Sequence, residues 1–73
     1  MQKLCELKID EKARVKELKI KGAMRRRLQD IGLIEGTEVK CVLISPLGDP
    51  KAYEIRGAVI AIREDDSKNI YVE

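Results

Sequence analysis

Histidine, phenylalanine and tryptophan are absent from this 73-residue sequence, and the only aromatic residues are Tyr53 and Tyr71. Without histidine the chain lacks the usual general base near neutral pH and the commonest metal ligand. Two aromatics are too few for the stacking platforms on which single-stranded nucleic acids are held. Thiols occur only at Cys5 and Cys41, far apart and outside any CxxC, which argues against a zinc site or a dithiol redox pair. A disulfide between them is geometrically possible but disfavoured in a reducing compartment. There is no GxxxxGK[ST] loop to cradle nucleotide phosphates. No apolar run approaches the ~20 residues of a membrane helix. The first residues, Met1-Gln2-Lys3-Leu4-Cys5-Glu6, lack a signal-peptide core behind the lysine, so the expectation is an untargeted cytoplasmic protein. With so little reactive chemistry, the expectation is a non-enzymatic domain with no catalytic residues and no cofactor.

What is present is a small, charged, single-domain chain. Apolar residues make up 44% and charged residues 38%, too apolar for intrinsic disorder. A chain of 8.3 kDa can build one core, and surface scaling gives a folded surface of roughly 4,600 Å². The 15 basic and 13 acidic residues leave a net charge of only +2. Their distribution is uneven: residues 1–37 hold ten Lys/Arg against six Asp/Glu, and residues 38–73 hold five against seven. A nucleic-acid binder normally shows a stronger basic excess. One basic side suits a protein-docking surface, with a plain solvated face as the alternative.

The hydrophobic pattern changes period along the chain. Leu7-Lys8-Ile9 begins an apolar/polar alternation that Asp10-Glu11 interrupts. Lys12–Lys16 alternates again, with Ala13 and Val15 inward, and Leu18 and Ile20 extend it. In Ala23–Ile31 the apolar residues Met24, Leu28 and Ile31 recur at i, i+4 and i+7, one stripe on a short helix. Gly32 follows where a left-handed cap requires a residue without a Cβ. Period 2 returns at Glu38, with Val39, Cys41 and Leu43 on one face and Lys40, Val42 and Ile44 on the other. Ser45–Pro50 is a turn cluster, because two prolines and a glycine cannot continue a ladder. Strands follow around Tyr53 and Ile55, over Ala58–Arg63 and at Ile70–Val72, with Gly57 and Asp65-Asp66-Ser67 as the corners. About five strands and one helix (about 23–31) describe a mainly β fold, a small antiparallel barrel that hides most of its own edge.

Arg25-Arg26-Arg27 is the most visible chemical feature. At 100° per residue Arg26 points away from the stripe of Met24, Leu28 and Ile31, while Arg25 and Arg27 lie on its flanks. Arg26 and Asp30 have the spacing of a weak surface pair. The functional reading is a cationic ridge facing an acidic protein surface. Beyond Gly32, Ile34 is the better candidate to tuck beneath the helix, and Leu33 to stand exposed beside the arginines. Cys41 shares a face with Val39 and Leu43 and reads as core. Glu64, Asp65, Asp66 and Glu73 read as a turn between strands rather than a cation site.

Gly22-Ala-Met-Arg-Arg-Arg-Leu28, Gln29-Asp-Ile-Gly32-Leu-Ile-Glu-Gly36, Pro46-Leu-Gly-Asp-Pro50 and Gly57-Ala-Val-Ile-Ala-Ile-Arg63 together resemble the FeoA family, ferrous iron transport protein A. The resemblance runs from Leu4 to Val72 with its motifs in order; Glu35 stands where many members carry Pro. It implies an SH3-like barrel that is cytoplasmic and an accessory to FeoB, the ferrous-iron permease with a G-protein domain. It also implies kinship with the C-terminal module of iron-dependent repressors and a transition-metal-binding description, for which these residues offer no visible ligand set. The expectation is an adaptor that docks on the cytoplasmic part of FeoB through Met24, Arg25, Arg27, Leu33, Ile34, Pro46, Leu47 and Asp49, meeting the membrane only through that partner. The alternatives are a metal-sensing module and a small nucleic-acid-binding barrel.

Overall fold

The computed structural model describes residues 1–73 and contains six strands and two helices. In chain order these are β1 (Gln2–Lys3), β2 (Lys12–Leu18), α1 (Gly22–Asp30), β3 (Glu38–Ile44), β4 (Lys51–Ile55), β5 (Ala58–Ile62), α2 (Glu64–Ser67) and β6 (Ile70–Val72), with a 3-10 turn at Leu4–Glu6. All strands belong to one antiparallel sheet of order β1-β6-β2-β3-β4-β5. The accessible surface is 4796 Å², close to the value expected from mass alone.

The sheet bends around one core, and β-bulges shape two of its strands. In β2, Ala13 and Val15 face inward while Lys12, Arg14 and Lys16 face solvent, as the alternation requires. The pairing with β6 shifts between Val15 and Glu17, so the inward phase moves from odd to even positions. Leu18 and Ile20 are therefore buried and a charged Glu17 is spared from the core. The pairing of β3 with β4 shifts in the same way between Cys41 and Leu43. This overturns one expectation: Leu43 does not share the buried face of Val39 and Cys41 but stands 61% exposed. Ile44 packs against the core instead.

The N-terminal segment departs further from its alternation. Leu7–Ile9 forms no strand; Leu4 and Leu7 are fully buried around the 3-10 turn, and Ile9 is exposed. Lys51 holds this turn down, its Nζ donating to the carbonyls of Cys5 (2.6 Å) and Leu7 (3.2 Å). Tyr53, fully buried, donates from its hydroxyl to the Leu4 carbonyl at 3.4 Å. Burial pushes its phenol far above the ordinary range. The corner expected at Asp65-Asp66-Ser67 winds, together with Glu64, into the single helical turn α2.

Helix α1 ends in a Schellman motif. The Leu33 N–H donates to the Leu28 carbonyl at 2.9 Å and the Gly32 N–H to the Gln29 carbonyl at 3.0 Å, with Gly32 at φ +95°. That motif brings the residue after the glycine back against the helix, which buries Leu33 completely. The expected roles of the two neighbours are thus reversed: Leu33 is core, and Ile34 is 44% exposed.

Candidate functional site

One surface hollow is lined mainly by apolar side chains. It is a groove of about 260 Å³ between α1 and β5. Met24, Leu28 and Ile31 form its helix wall, and Ile60, Ala61 and Ile62 form its strand wall. Leu28 and Ile62 are buried at its floor, while Met24, Ile31 and Ile60 are half-buried along its sides. Arg27, Arg63 and Asp66 stand on its rim. The helix stripe thus completes the core at its centre and leaves its two ends open. An apolar slot with a charged rim is the general form of a protein-contact surface.

The three consecutive arginines have three different environments. Arg25 is half-buried, and its Nη1 donates to the carbonyls of Leu18 (2.7 Å) and Ile20 (3.2 Å). It ties α1 to the end of β2 and gives this arginine a structural role beside the contact role expected of it. Arg26 is exposed and forms no ion pair with Asp30. Arg27 is exposed on the groove rim.

The remaining expected contact residues also separate. Leu33, fully buried, has no surface to offer. Ile34, Pro46 and Leu47 are exposed, Leu47 to 96% at the tip of the loop between β3 and β4. Asp49 is exposed, yet its Oδ1 accepts from the Glu64 N–H at 2.9 Å and pins that loop to the start of α2. Met24 and Arg27 are therefore together in the groove, with Ile34 and the Pro46–Leu47 tip as separate exposed points. Ile60, Ala61, Ile62, Arg63 and Asp66 complete the groove and were not among the expected residues. The signal for them lay in Gly57–Arg63, six uncharged residues in a row closing on an arginine, which the alternation alone reads as an ordinary strand.

A larger hollow of about 440 Å³ lies over the outer face of β2, β3 and β4. Lys12, Arg14, Lys40 and Arg56 line it, but Glu38 and Glu54 alternate with them. Arg14 donates from Nη1 to the Gly36 carbonyl at 2.9 Å. Mixed charge on an open sheet face is the normal dress of a solvated surface.

Nothing in the chain fits a tight transition-metal site. No three Cys, Asp or Glu side chains converge. Burial raises the Cys41 thiol above its ordinary value, which disfavours the thiolate a metal needs. No helix is long and apolar enough to cross a membrane.

The family model for the FeoA domain matches residues 2–73. The FeoA protein of Chlorobium tepidum superposes with a TM-score of 0.93 at 36% identity, over 99% of this chain and 69% of that one. The Stenotrophomonas maltophilia FeoA, an SH3-domain protein solved with zinc, gives a TM-score of 0.86 at 27% identity, over 100% and 91% of the two chains. The present fold is therefore SH3-like. A fusion of Fe(2+) transport protein A with the Fe(2+) transporter FeoB in Porphyromonas gingivalis is 30% identical over 71 residues. That match covers 97% of this chain and 8% of the fusion protein.

Proposed function

This chain belongs to the FeoA family, associated with ferrous iron transport, and we propose that it docks on the cytoplasmic part of FeoB and regulates transport there. The observation that carries the partner's identity is the Porphyromonas gingivalis fusion, in which such a domain and the transporter share one polypeptide. Covalent linkage keeps two modules at high effective concentration, which favours their acting on each other. The groove between α1 and β5 is the contact surface, with Arg27 and Arg63 facing carboxylates of the partner. Arg forks suit that role because they bind carboxylates in two-point geometry. Ferrous iron is the cargo of the partner in this reading, since the adaptor presents no ligand set of its own. Any hydrolysis of nucleotide belongs to the partner as well.

The test is calorimetric binding of the full chain to the purified cytoplasmic domain of FeoB. Arg27→Glu should weaken it at least tenfold at low salt, because like charges across a contact are penalised and slow encounter. Arg26→Glu, one position round the helix and away from the groove, is the control and should change it less than twofold. No measurable affinity, or equal effects from the two substitutions, would refute docking through this face.

A further inference from the structure

The groove has an unusual wall. Consecutive strand residues point to opposite faces, so a hollow that reaches Ile60, Ala61 and Ile62 together meets the strand along its edge. That edge is open. The sheet order ends at β5, which pairs with β4 through five unbroken positions, Ala58 to Ile62, and with nothing on its other side. No loop or side chain of the protein hydrogen-bonds to the backbone of these five residues. Among the usual protections of an edge are a charge, a proline or a bulge within the strand, and Ala58–Ile62 contains none of these. The other end of the sheet is the two-residue β1, too short to serve as a template.

We propose that an extended, acidic segment of the partner adds to the open edge of β5 as a seventh strand, laying alternate apolar side chains into the groove beside α1. This rests on the docking reading above and specifies its geometry. Backbone pairing supplies affinity and the groove supplies side-chain selection, as in other cases of strand addition. The charge on the groove rim selects an acidic segment: Arg63 ends the strand and Arg27 stands across the groove, against Asp66 as the single acidic group there. A second copy of this chain would bring its own Arg27 and Arg63 to the same rim, where like charges oppose it.

Amide hydrogen exchange of the ¹⁵N-labelled full chain, with and without the purified cytoplasmic domain of FeoB, tests this directly. In the free chain the β5 amides that point outward exchange fast, and at saturation they should slow at least tenfold. Binding with unchanged β5 exchange overturns strand addition and leaves docking standing. Absence of binding overturns both. Protected β5 amides in the free chain, together with a dimer mass by sedimentation, would give the edge to a second copy and overturn the proposal. The double variant Arg27→Glu with Arg63→Glu should weaken binding at least thirtyfold; unchanged affinity overturns the acidic character of the segment.

Discussion

Leu33→Ala separates the observed packing from the arrangement one residue out of phase. Leu33 is fully buried and Ile34 is 44% exposed, although both follow the same glycine. Truncating a fully buried leucine loses its transfer energy and leaves a cavity, together about 2–5 kcal/mol. The site cannot collapse easily, because Leu33 is held by its own N–H on the Leu28 carbonyl and by the αL geometry of Gly32. A cost of about 3 kcal/mol is therefore expected. At about 0.05–0.15 kcal/mol per residue, a domain of this length has only ~4–11 kcal/mol to lose. The variant should remain folded at 25 °C but melt about 15–20 °C lower, given about 4–8 °C per kcal/mol for small domains.

Ile34→Ala is the matched comparison. About half of that side chain is already in water and no closed cavity follows its removal, so ~1 kcal/mol is expected. Urea titration followed by far-ultraviolet circular dichroism, with slopes compared to confirm two-state behaviour, gives both values. Equal costs for the two substitutions, or a larger cost for Ile34, would show that the helix does not end in the motif described and would shift the loop register by one residue.

Gly32→Ala should cost about 1–2 kcal/mol, because φ there is +95° and an added Cβ would also displace the Arg56 side chain lying across it; a neutral result on urea titration would contradict the cap. Arg25→Ala should lose about 1–3 kcal/mol through its two carbonyl contacts, while Arg26→Ala stays within about 0.5 kcal/mol, both read as melting temperatures. Burial raises both the Cys41 thiol and the Tyr53 phenol, so the folded chain keeps protons that the unfolded chain releases above the ordinary values of 9.0 and 10.0. Their contribution is then present below pH 9 and is lost as pH rises, at up to ~1.4 kcal/mol per pH unit per group; urea midpoints across that range check it, and Tyr53→Phe should remove the tyrosine share. Equilibrium dialysis against micromolar Zn²⁺ or Fe²⁺ should show no stoichiometric site, and one ion per chain lost on Cys5→Ser with Cys41→Ser would overturn the ligand argument.

Most of the fold was legible because its signals are local. The alternation in Lys12–Lys16, the stripe of Met24, Leu28 and Ile31, the glycine after it and the Ser45–Pro50 turn each follow from one stretch of chain. What failed was phase. A β-bulge inserts one residue and inverts every side chain beyond it, and nothing in Cys41-Val42-Leu43 marks the insertion. It is set by pairing with β4, a partner distant in sequence. The burial of Leu33 is different, since Gly at the cap followed by a large apolar residue is itself a signature of the Schellman contact. Counting only the helix period missed it. β1 was beyond reach because a two-residue strand has no period, and it exists only through pairing with β6.

The candidate site shows the same division between what a stretch of sequence can specify and what packing decides. Three identical side chains occur in a row, and the helix rotates each by about 100° into a different situation. Arg25 turns toward β2, where two carbonyls at the end of the strand need donors, and becomes structural. Arg26 turns into solvent. Arg27 turns toward β5, but a rim position means something only because a chargeless strand lies opposite, and that strand is thirty residues away in sequence. The helix wheel correctly separated Arg26 from its neighbours. It could not separate Arg25 from Arg27, since both flank the stripe symmetrically and only the elements beyond them differ. The same asymmetry divides the stripe itself. Leu28 is buried by the sheet beneath it, while Met24 and Ile31 remain half-open because β5 ends the sheet and nothing continues the surface beyond it. The groove is thus a consequence of the unpaired edge, and a partner strand placed there would extend the sheet and cover both open apolar side chains in the same event.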